Sequence, residues 1–408
     1  MSKLNELINE LCPNGVEYKE LGEICKVQAG GTPARSKRLY WNDGEIKWLS
    51  SSVCKDKKLK TIECEYITEE GLKSSAAKLL CDKTTLIALV GATLGKIAFL
   101  EFEATTNQNI ASLYPLDLEQ LDPTFLYYSC YQFKNHFENI KSKGFSLLTL
   151  KDLKSLKIPS PPLLIQKEIV RLLDNFAELT AELIGEQTLR QQQYEYYREK
   201  LLGEFEGEVE YKQLWEITNW DKKFQSVDPK KQDKVIKYKV LLSKEISELI
   251  REEGTVKLLT TNETNIYTTE ELGVNYMSDG EVVAIPWGGN PIVQYYNGKF
   301  ITSDNRIATS KDKNKYLNKY IYYYMKDNID VISSFYRGSG IKHPDMSKVL
   351  DLTITIPSLE EQQRIVDILD RFDKLANDIN EGLPAEIKLR QQQYEYYRDK
   401  LLTFKEKE

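Results

Sequence analysis

Residues 189–202 read LRQQQYEYYREKLL and residues 389–402 read LRQQQYEYYRDKLL, a recurrence with a single change, Glu199 to Asp399. Self-similarity at a long period indicates a chain built from repeated structural units. Upstream of each copy, IPSPPLLIQKEIVRLLDNF (158–176) aligns with IPSLEEQQRIVDILDRF (356–372) once two residues are looped out after the prolines of the first. EYKELGEI (17–24) matches EYKQLWEI (210–217), and TNQNIASL (106–113) matches SDNRIATS (303–310). Even the start fits, since KLNELINEL before CPNGVEYKEL resembles REKLLGEF before EGEVEYKQL. Each half of the 408 residues is therefore one unit, and the order helix end, globule, helix, globule, helix suits closure into a pseudo-twofold ring.

Ile169, Leu172, Phe176, Leu179 and Leu183 recur at alternating three- and four-residue steps, and Ile365, Ile368, Phe372, Leu375 and Ile379 repeat the pattern. That spacing gives each helix one apolar seam, the seam a two-stranded coiled coil buries. Proline precedes both helices, and each is loosened midway, at Gly185 and at Gly382 with Pro384. A helix of roughly 40 residues spans about 60 Å, so a pair of them reads as a strut. The predicted organisation is a globule with a short N-terminal helix (1–160), a helical spacer (161–208), a second globule (209–357) and a second spacer (358–408). TLIALV, IAFLEF, EVVAIPW, IVQYY and LTITI read as strands. NELINEL, TFLYYSCYQFKNHFENI and KYIYYYMKDNIDVI read as helices. The predicted fold class is α+β: two β-containing globules in pseudo-twofold repeat, separated by two long antiparallel coiled-coil helices.

The net charge of −6 is unevenly spread. Residues 1–160 carry 21 Lys and Arg against 20 Asp and Glu, whereas residues 161–208 carry 5 against 10, so the acidity lies in the helices. The globules hold local basic runs, Arg35-Ser-Lys37-Arg38, Lys55 to Lys60, and Lys222-Lys223 with Lys230-Lys231. Such runs are solvated faces or an electrostatic footprint for nucleic acid. No apolar run reaches the roughly 18 residues of a membrane span, and no secretory leader opens the chain, so the expected location is the cytoplasm.

Cys12, Cys25, Cys54, Cys64, Cys81 and Cys130 all fall in the first half, with no C-x-x-C pair, and the second half builds the equivalent unit without cysteine. Free thiols are the expectation. His136 and His343 are the only histidines, which leaves little for histidine-based metal or acid-base chemistry. Gly91-Ala-Thr-Leu-Gly95-Lys96 is one residue too short for a phosphate loop and lacks the hydroxyl residue after lysine. No Gly-rich cofactor loop and no placed acid pair suggest catalysis, so neither a metal nor a catalytic residue is expected. The repeated LRQQQYEYYR helices are Tyr- and Arg-rich, as partner-binding surfaces are. Arg190, Tyr194, Tyr197 and Arg198, with Arg390, Tyr394, Tyr397 and Arg398, are the candidate docking residues, presented twice to two copies of one partner.

Taken in order, GGTP with YWNDGEIKWLSS (Gly30 to Ser51), GATLGK with TTNQNIASL (Gly91 to Leu113), the Ser-Lys-Gly step through LTLKDLKSLKIPSPPL (Ser142 to Leu163) and the paired helices resemble the DNA-specificity subunit of type I restriction-modification enzymes. The resemblance runs the length of the chain. It implies a phage-defence protein in which each globule is a target recognition domain reading one half of a split, asymmetric site, while the helices set the spacing. It also implies two modification subunits, which methylate adenine with S-adenosylmethionine, and restriction subunits that use ATP to translocate and cut. This chain would then hold no cofactor and be no enzyme. The second globule departs from the pattern, with VLLSKEISELIREEG and AIPWGGNPIVQYY in place of GGTP and the YWNDGEIKW run. Rival readings are a specificity subunit for a two-component methylating and cutting enzyme, and a protein scaffold that binds no DNA.

Base reading needs donors and acceptors on loops that reach groove edges, with cations and hydroxyls on phosphates. Candidate DNA-binding residues in the first globule are Arg35, Lys37, Arg38, Tyr40, Ser51, Asn107, Gln108, Lys141, Lys143 and Ser146. In the second they are Asn290, Asn305, Arg306, Arg337, Ser339, Lys342 and His343. Gln108 and Arg306 stand out because they occupy matching turns between short apolar strands.

Overall fold

A computed structural model describes residues 2–142, 147–205, 207–377 and 382–407. The chain forms two compact units, the first of Met1–Ile184 with Ile387–Glu408 and the second of Gly185–Glu386. This division cuts through the helices expected to be separate spacers. Each unit is a β-containing globule together with a stretch of helix from each half of the sequence.

The central sheet of unit 1 has five strands in the order Cys25–Ala29, Ile110–Pro115, Thr85–Ala88, Ile97–Leu100, Lys57–Leu59. Unit 2 repeats that order with Thr218–Trp220, Asn305–Ser310, Ser278–Pro286, Gln294–Thr302 and Val256–Leu259, then adds Tyr267–Thr268 at the edge. In both sheets the pairing is antiparallel until the fifth strand, which runs parallel to the fourth. The apolar run TLIALV is buried on both faces because alternate side chains enter different cores: Ile87 and Leu89 join one cluster, Leu86 and Ala88 another. Between its strand and the next, the GATLGK segment turns through Gly91 and Gly95 at φ +69° and +77°. A Cβ on Gly95 would lie 2.4 Å from Phe137, so this turn needs glycine for space as well as for backbone freedom.

The helices attach to their globules by the same device in each unit. In unit 1, Gln166 accepts from the backbone nitrogen of Asp122 and donates to the carbonyls of Gln120 and Pro161. In unit 2, Gln362 accepts from Leu317 and donates to Lys315 and Pro357. Ile165, Ile169 and Leu173 are fully buried beside this clamp, as are Ile365 and Leu369 in their own unit. The first part of each predicted seam thus faces the globule rather than only a partner helix. Further along, Leu179 and Leu375 are 50% and 41% exposed, and Ile379 lies outside the described residues. Gly185 does not interrupt the 41-residue helix Leu163–Gly203, because an exposed glycine weakens a helix without preventing it. In the second half, helix Leu359–Asn377 ends before Gly382, and a new helix runs Leu383–Leu402 with Pro384 in its first turn.

The copied stretch packs inside each unit. Tyr397 stacks on Phe176 at 5.3 Å in unit 1, and Tyr197 stacks on Phe372 at 5.4 Å in unit 2. The chain end is held to unit 1 by Gln132 donating to the Leu402 carbonyl, by Tyr18 donating to the Phe404 carbonyl, and by a bridge between Val16 and Glu406. All six cysteines are free, and burial pushes the Cys25 and Cys54 thiols up to about 12.

Candidate nucleic-acid interface

One end of the central sheet gathers exposed polar side chains in each unit. In unit 2 the strand Ser278–Pro286 runs into Trp287-Gly-Gly-Asn290, and the backbone nitrogen of Trp287 donates to the Asp304 carbonyl. A short hairpin, Tyr336–Arg337 paired with His343–Pro344, packs against this turn: Tyr336 donates to the Pro286 carbonyl and Gly289 to the Lys342 carbonyl. His343 Nδ1 lies 2.7 Å from the Trp287 carbonyl, so that nitrogen carries the proton and Nε2 remains for another partner. Asn290, Arg337, Ser339, Lys342 and His343 are all exposed on this turn and hairpin.

The equivalent end of unit 1 is closed by different contacts. Leu89 donates to the Asn109 carbonyl, Val90 bridges Leu147, and Lys141 Nζ donates to the Ala92 carbonyl at 2.9 Å. Gln108 is exposed on this rim, with its Oε1 accepting from the Thr32 hydroxyl at 2.6 Å. Lys143 and Ser146 lie outside the described residues. Ser51 opens a short turn, and its segment runs beside Asn107, whose backbone donates to Leu49. The basic loop hangs from a separate three-stranded sheet, Glu65–Ile67, Ile46–Leu49 and Thr105–Thr106, which leads directly into Asn107 and Gln108. Arg35 lies over Trp41 at 3.8 Å and Trp48 at 4.8 Å and gives both guanidinium nitrogens to Glu65. This exchange raises the Arg35 pKa and lowers that of Glu65. Lys37 and Arg38 are exposed, and Lys37 donates to the Tyr40 hydroxyl at 3.0 Å.

Four of the predicted contacts are interior residues. Tyr40 is buried, so its ring packs and only its hydroxyl meets a polar partner. Asn107 is buried and holds its turn by accepting from the backbone of Asn109. Asn305 is fully buried, its amide nitrogen donating to the carbonyls of Leu259 and Thr260. Arg306 is 3% exposed and pairs with Asp221 at 2.9 Å and with Asp304, beneath Trp287. Burial pushes the Asp221 carboxyl up while the Arg306 guanidinium pulls it back, as befits an ion pair held within a sheet. The matching turns diverge for a physical reason: Gln108 precedes its strand, whereas Asn305 and Arg306 begin theirs and point inward.

The docking candidates divide in the same way. Tyr194 is 1% exposed in the unit 2 core, and Arg198 beside it pairs with Asp327 at 2.8 Å. In unit 1, Tyr394 and Tyr397 pack on the core, and Arg398 is buried with its guanidinium 5.0 Å from the Tyr131 ring. Arg190 and Arg390 each bond a glutamine three residues along their own helix. The stretch recurs because each copy completes a unit. Its outer face also recurs, with Leu189 and Leu389 at 66% and 65% exposed and Tyr196 and Tyr396 at 59% and 61%.

Trp287, Lys222 and Glu65 belong to these sites and were missed by sequence reasoning. Lys222 lies 4.8 Å from the Trp287 ring, and the signal for it was the Lys222-Lys223 run followed, far along the chain, by a tryptophan before two glycines. Among the described residues no cluster of His, Cys, Asp and Glu is placed to hold a metal, and no helix is long and apolar enough to cross a membrane.

Comparison with known proteins agrees with this architecture. The family model described as the type I restriction modification DNA specificity domain matches twice, at residues 13–191 and 208–389. A type I restriction enzyme specificity subunit of Escherichia coli is 34% identical over 277 residues, covering 62% of this chain and 63% of that one. A putative specificity subunit of Haemophilus influenzae is 31% identical over 299 residues, covering 70% and 73%. The EcoprrI specificity subunit of Escherichia coli is 27% identical over 400 residues, covering 93% of each. Among solved structures, the S subunit of a type I system from M. genitalium has the same fold, with a TM-score of 0.57 at 15% identity over 95% of this chain and 96% of that one. The duplicated family match falls on the two structural repeats, and the chain belongs to the type I restriction-modification DNA specificity family, as a non-catalytic DNA-recognition subunit.

Proposed function

We propose that each unit reads one half of a split, asymmetric DNA site through the loops at the end of its central sheet, while the helices fix the number of unread base pairs between the halves. The observation that carries this reading is the repeated strand end. Each unit leaves its central sheet by a turn between the third and second strands, closed by Leu89 bonded to Asn109 in unit 1 and, two residues farther along, by Trp287 bonded to Asp304 in unit 2, and the exposed side chains around the two turns differ. One sheet with two sets of donors at its end is what reading two different half-sites requires.

Arg337 is the exposed guanidinium on the unit 2 hairpin. Arg337→Ala is expected to weaken recognition of one half-site by about 1–3 kcal/mol per lost bidentate base contact, with the other half-site unchanged. Sequencing of methylated sites in cells carrying the variant checks this, and equal loss of both halves would sink the independent-domain reading. A second expectation concerns spacing. Inserting four residues after Leu179 adds about 6 Å of helix, or about two base pairs at 3.4 Å each, so the methylated motif should keep its letters and gain spacer length. Altered letters at constant spacing would refute the ruler.

The repeated outer face of Leu189 and Tyr196, with Leu389 and Tyr396, is proposed to dock two identical modification subunits, which supply S-adenosylmethionine chemistry, while restriction subunits supply ATP-driven cutting. Exposed apolar side chains at matching positions support it. Tyr196→Ala combined with Tyr396→Ala should weaken assembly with the modification subunit tenfold or more by roughly the hot-spot scale, without changing the melting of the isolated chain. Unchanged assembly in a co-purification titration would refute this face.

A further inference from the structure

Unit 2 contains a cleft of about 1130 Å³ between the second half of the long helix, the helices Asn318–Asp327 and Leu359–Asn377, and the strand Val256–Leu259. Five cationic side chains and three carboxylates line it, and with Arg198 paired outside it to Asp327 at 2.8 Å one positive charge is in excess. Lys319 is tethered to Asp370 at 2.7 Å, and Lys326 reaches Asp373 at 3.8 Å. Lys257 is different: its ammonium bonds only neutral oxygens, the Thr264 carbonyl at 2.6 Å and Asn265 Oδ1 at 3.4 Å. Burial pulls its pKa down. Tyr194 lines the same cleft, and although it is 1% exposed its hydroxyl donates to no acceptor, its neighbours Arg198 and Lys326 being donors themselves. A buried, unmet hydroxyl next to surplus positive charge is a site lacking an anionic acceptor.

Unit 1 bonds its matching helix carboxylate differently. Its fifth strand, Lys57–Leu59, sends Lys58 to Asp174 at 2.6 Å, and Tyr128 donates to the same carboxylate. In unit 2 the matching Asp370 takes its hydroxyl from Tyr323 and its lysine from Lys319 on a helix, so the strand's own Lys257 is left lining the cleft. The same helix position is thus held by different lysines in the two units, and in unit 2 the strand's own cation faces the cleft.

We propose that this cleft binds phosphoryl groups, with Lys257 and Lys326 on the anionic oxygens and the Tyr194 hydroxyl donating to one of them. Tetrahedral oxyanions offer the several acceptors that two ammonium groups and a hydroxyl need. Two sources share this chemistry, a free polyphosphate and a phosphodiester of bound DNA, and the second rests on the DNA reading above. The full chain is titrated by calorimetry with inorganic pyrophosphate and with ATP, and separately with duplex DNA carrying the methylated motif at two salt concentrations. A free-polyphosphate site predicts saturable pyrophosphate or ATP binding that weakens about tenfold or more in Lys257→Gln with Lys326→Gln, and also in Tyr194→Phe, a variant that keeps the ring packing. A phosphodiester site predicts no saturable pyrophosphate binding, but DNA affinity that falls in the double variant while the slope of log affinity on log salt shrinks by about 2. If pyrophosphate and ATP fail to bind and DNA affinity and salt slope stay at parent values in a double variant that melts normally, the proposal is overturned. DNA binding by the unsubstituted chain, measured in the same series, separates failure of this site from failure of the DNA reading.

Discussion

Arg306→Ala is expected to destabilise unit 2 by about 3–5 kcal/mol, the cost of leaving one member of a buried ion pair unpaired. The guanidinium is 4% exposed and Asp221 is 8% exposed, so neither charge can turn to water when its partner is removed. After the substitution Asp221 keeps only the backbone nitrogen of Ile307, at 3.2 Å, as a partner from the central sheet. Since a domain has about 5–15 kcal/mol of stability in total, the unit 2 unfolding transition in urea should move far down or vanish while that of unit 1 stays put. Two controls isolate the cause. Asp304→Ala should have a small effect, under about 1 kcal/mol, because that carboxylate is 59% exposed. Arg306→Met with Asp221→Leu should recover most of the loss, since apolar pairs of similar volume often replace buried ion pairs without penalty. Parent-like unfolding of Arg306→Ala together with loss of one half-site would mean that Arg306 reads DNA after all.

Tyr194→Ala is the second large effect, about 3–5 kcal/mol by analogy with buried aromatic deletions, whereas Tyr196→Ala two residues along should stay within about 0.5 kcal/mol. Both residues belong to the same QQQYEYY segment, and only their burial differs, 1% against 59%. Deleting the Tyr194 ring removes a buried side chain from the core cluster of unit 2 that also holds Leu202, Ile365 and Leu369. Differential unfolding of the two variants measures the contrast. Equal effects would mean that the repeated helix does not close its unit as described.

These two residues also mark where sequence reasoning stops. The repeat, the β-rich globules and the helices flanked by prolines were legible because they rest on local patterns: apolar runs, alternating spacing, and self-similarity between EYKELGEI and EYKQLWEI. An amphipathic face rich in Tyr and Arg looks the same whether it meets its own chain or a partner, since both bury rings and tether guanidinium groups. Tyr194 and Arg198 lie four residues apart on one helical face, and nothing local says that Asp327, 129 residues later, completes it. Arg306 was misplaced for a related reason. Whether SDNRIATS turns its arginine outward depends on where the strand begins, and that is set by pairing of Asn305 with Pro286, a long-range register. At the end of the unit 2 sheet, the exposure of the hairpin residues Arg337 to His343 was legible because glycine and lysine punctuate the turn. Trp287 was read only as the end of the strand EVVAIPW because its neighbours Lys222 and His343 come from opposite ends of the unit.

The proposed role of this chain is to address a methylating complex to a split DNA site. The most direct test is sequencing of adenine methylation genome-wide in cells that carry the chain with its modification partner, in cells from which the chain alone is deleted, and in cells where it is restored. One bipartite, asymmetric motif, methylated on both strands, should vanish on deletion and return on complementation. An expressed, active modification partner with no motif lost on deletion would contradict it.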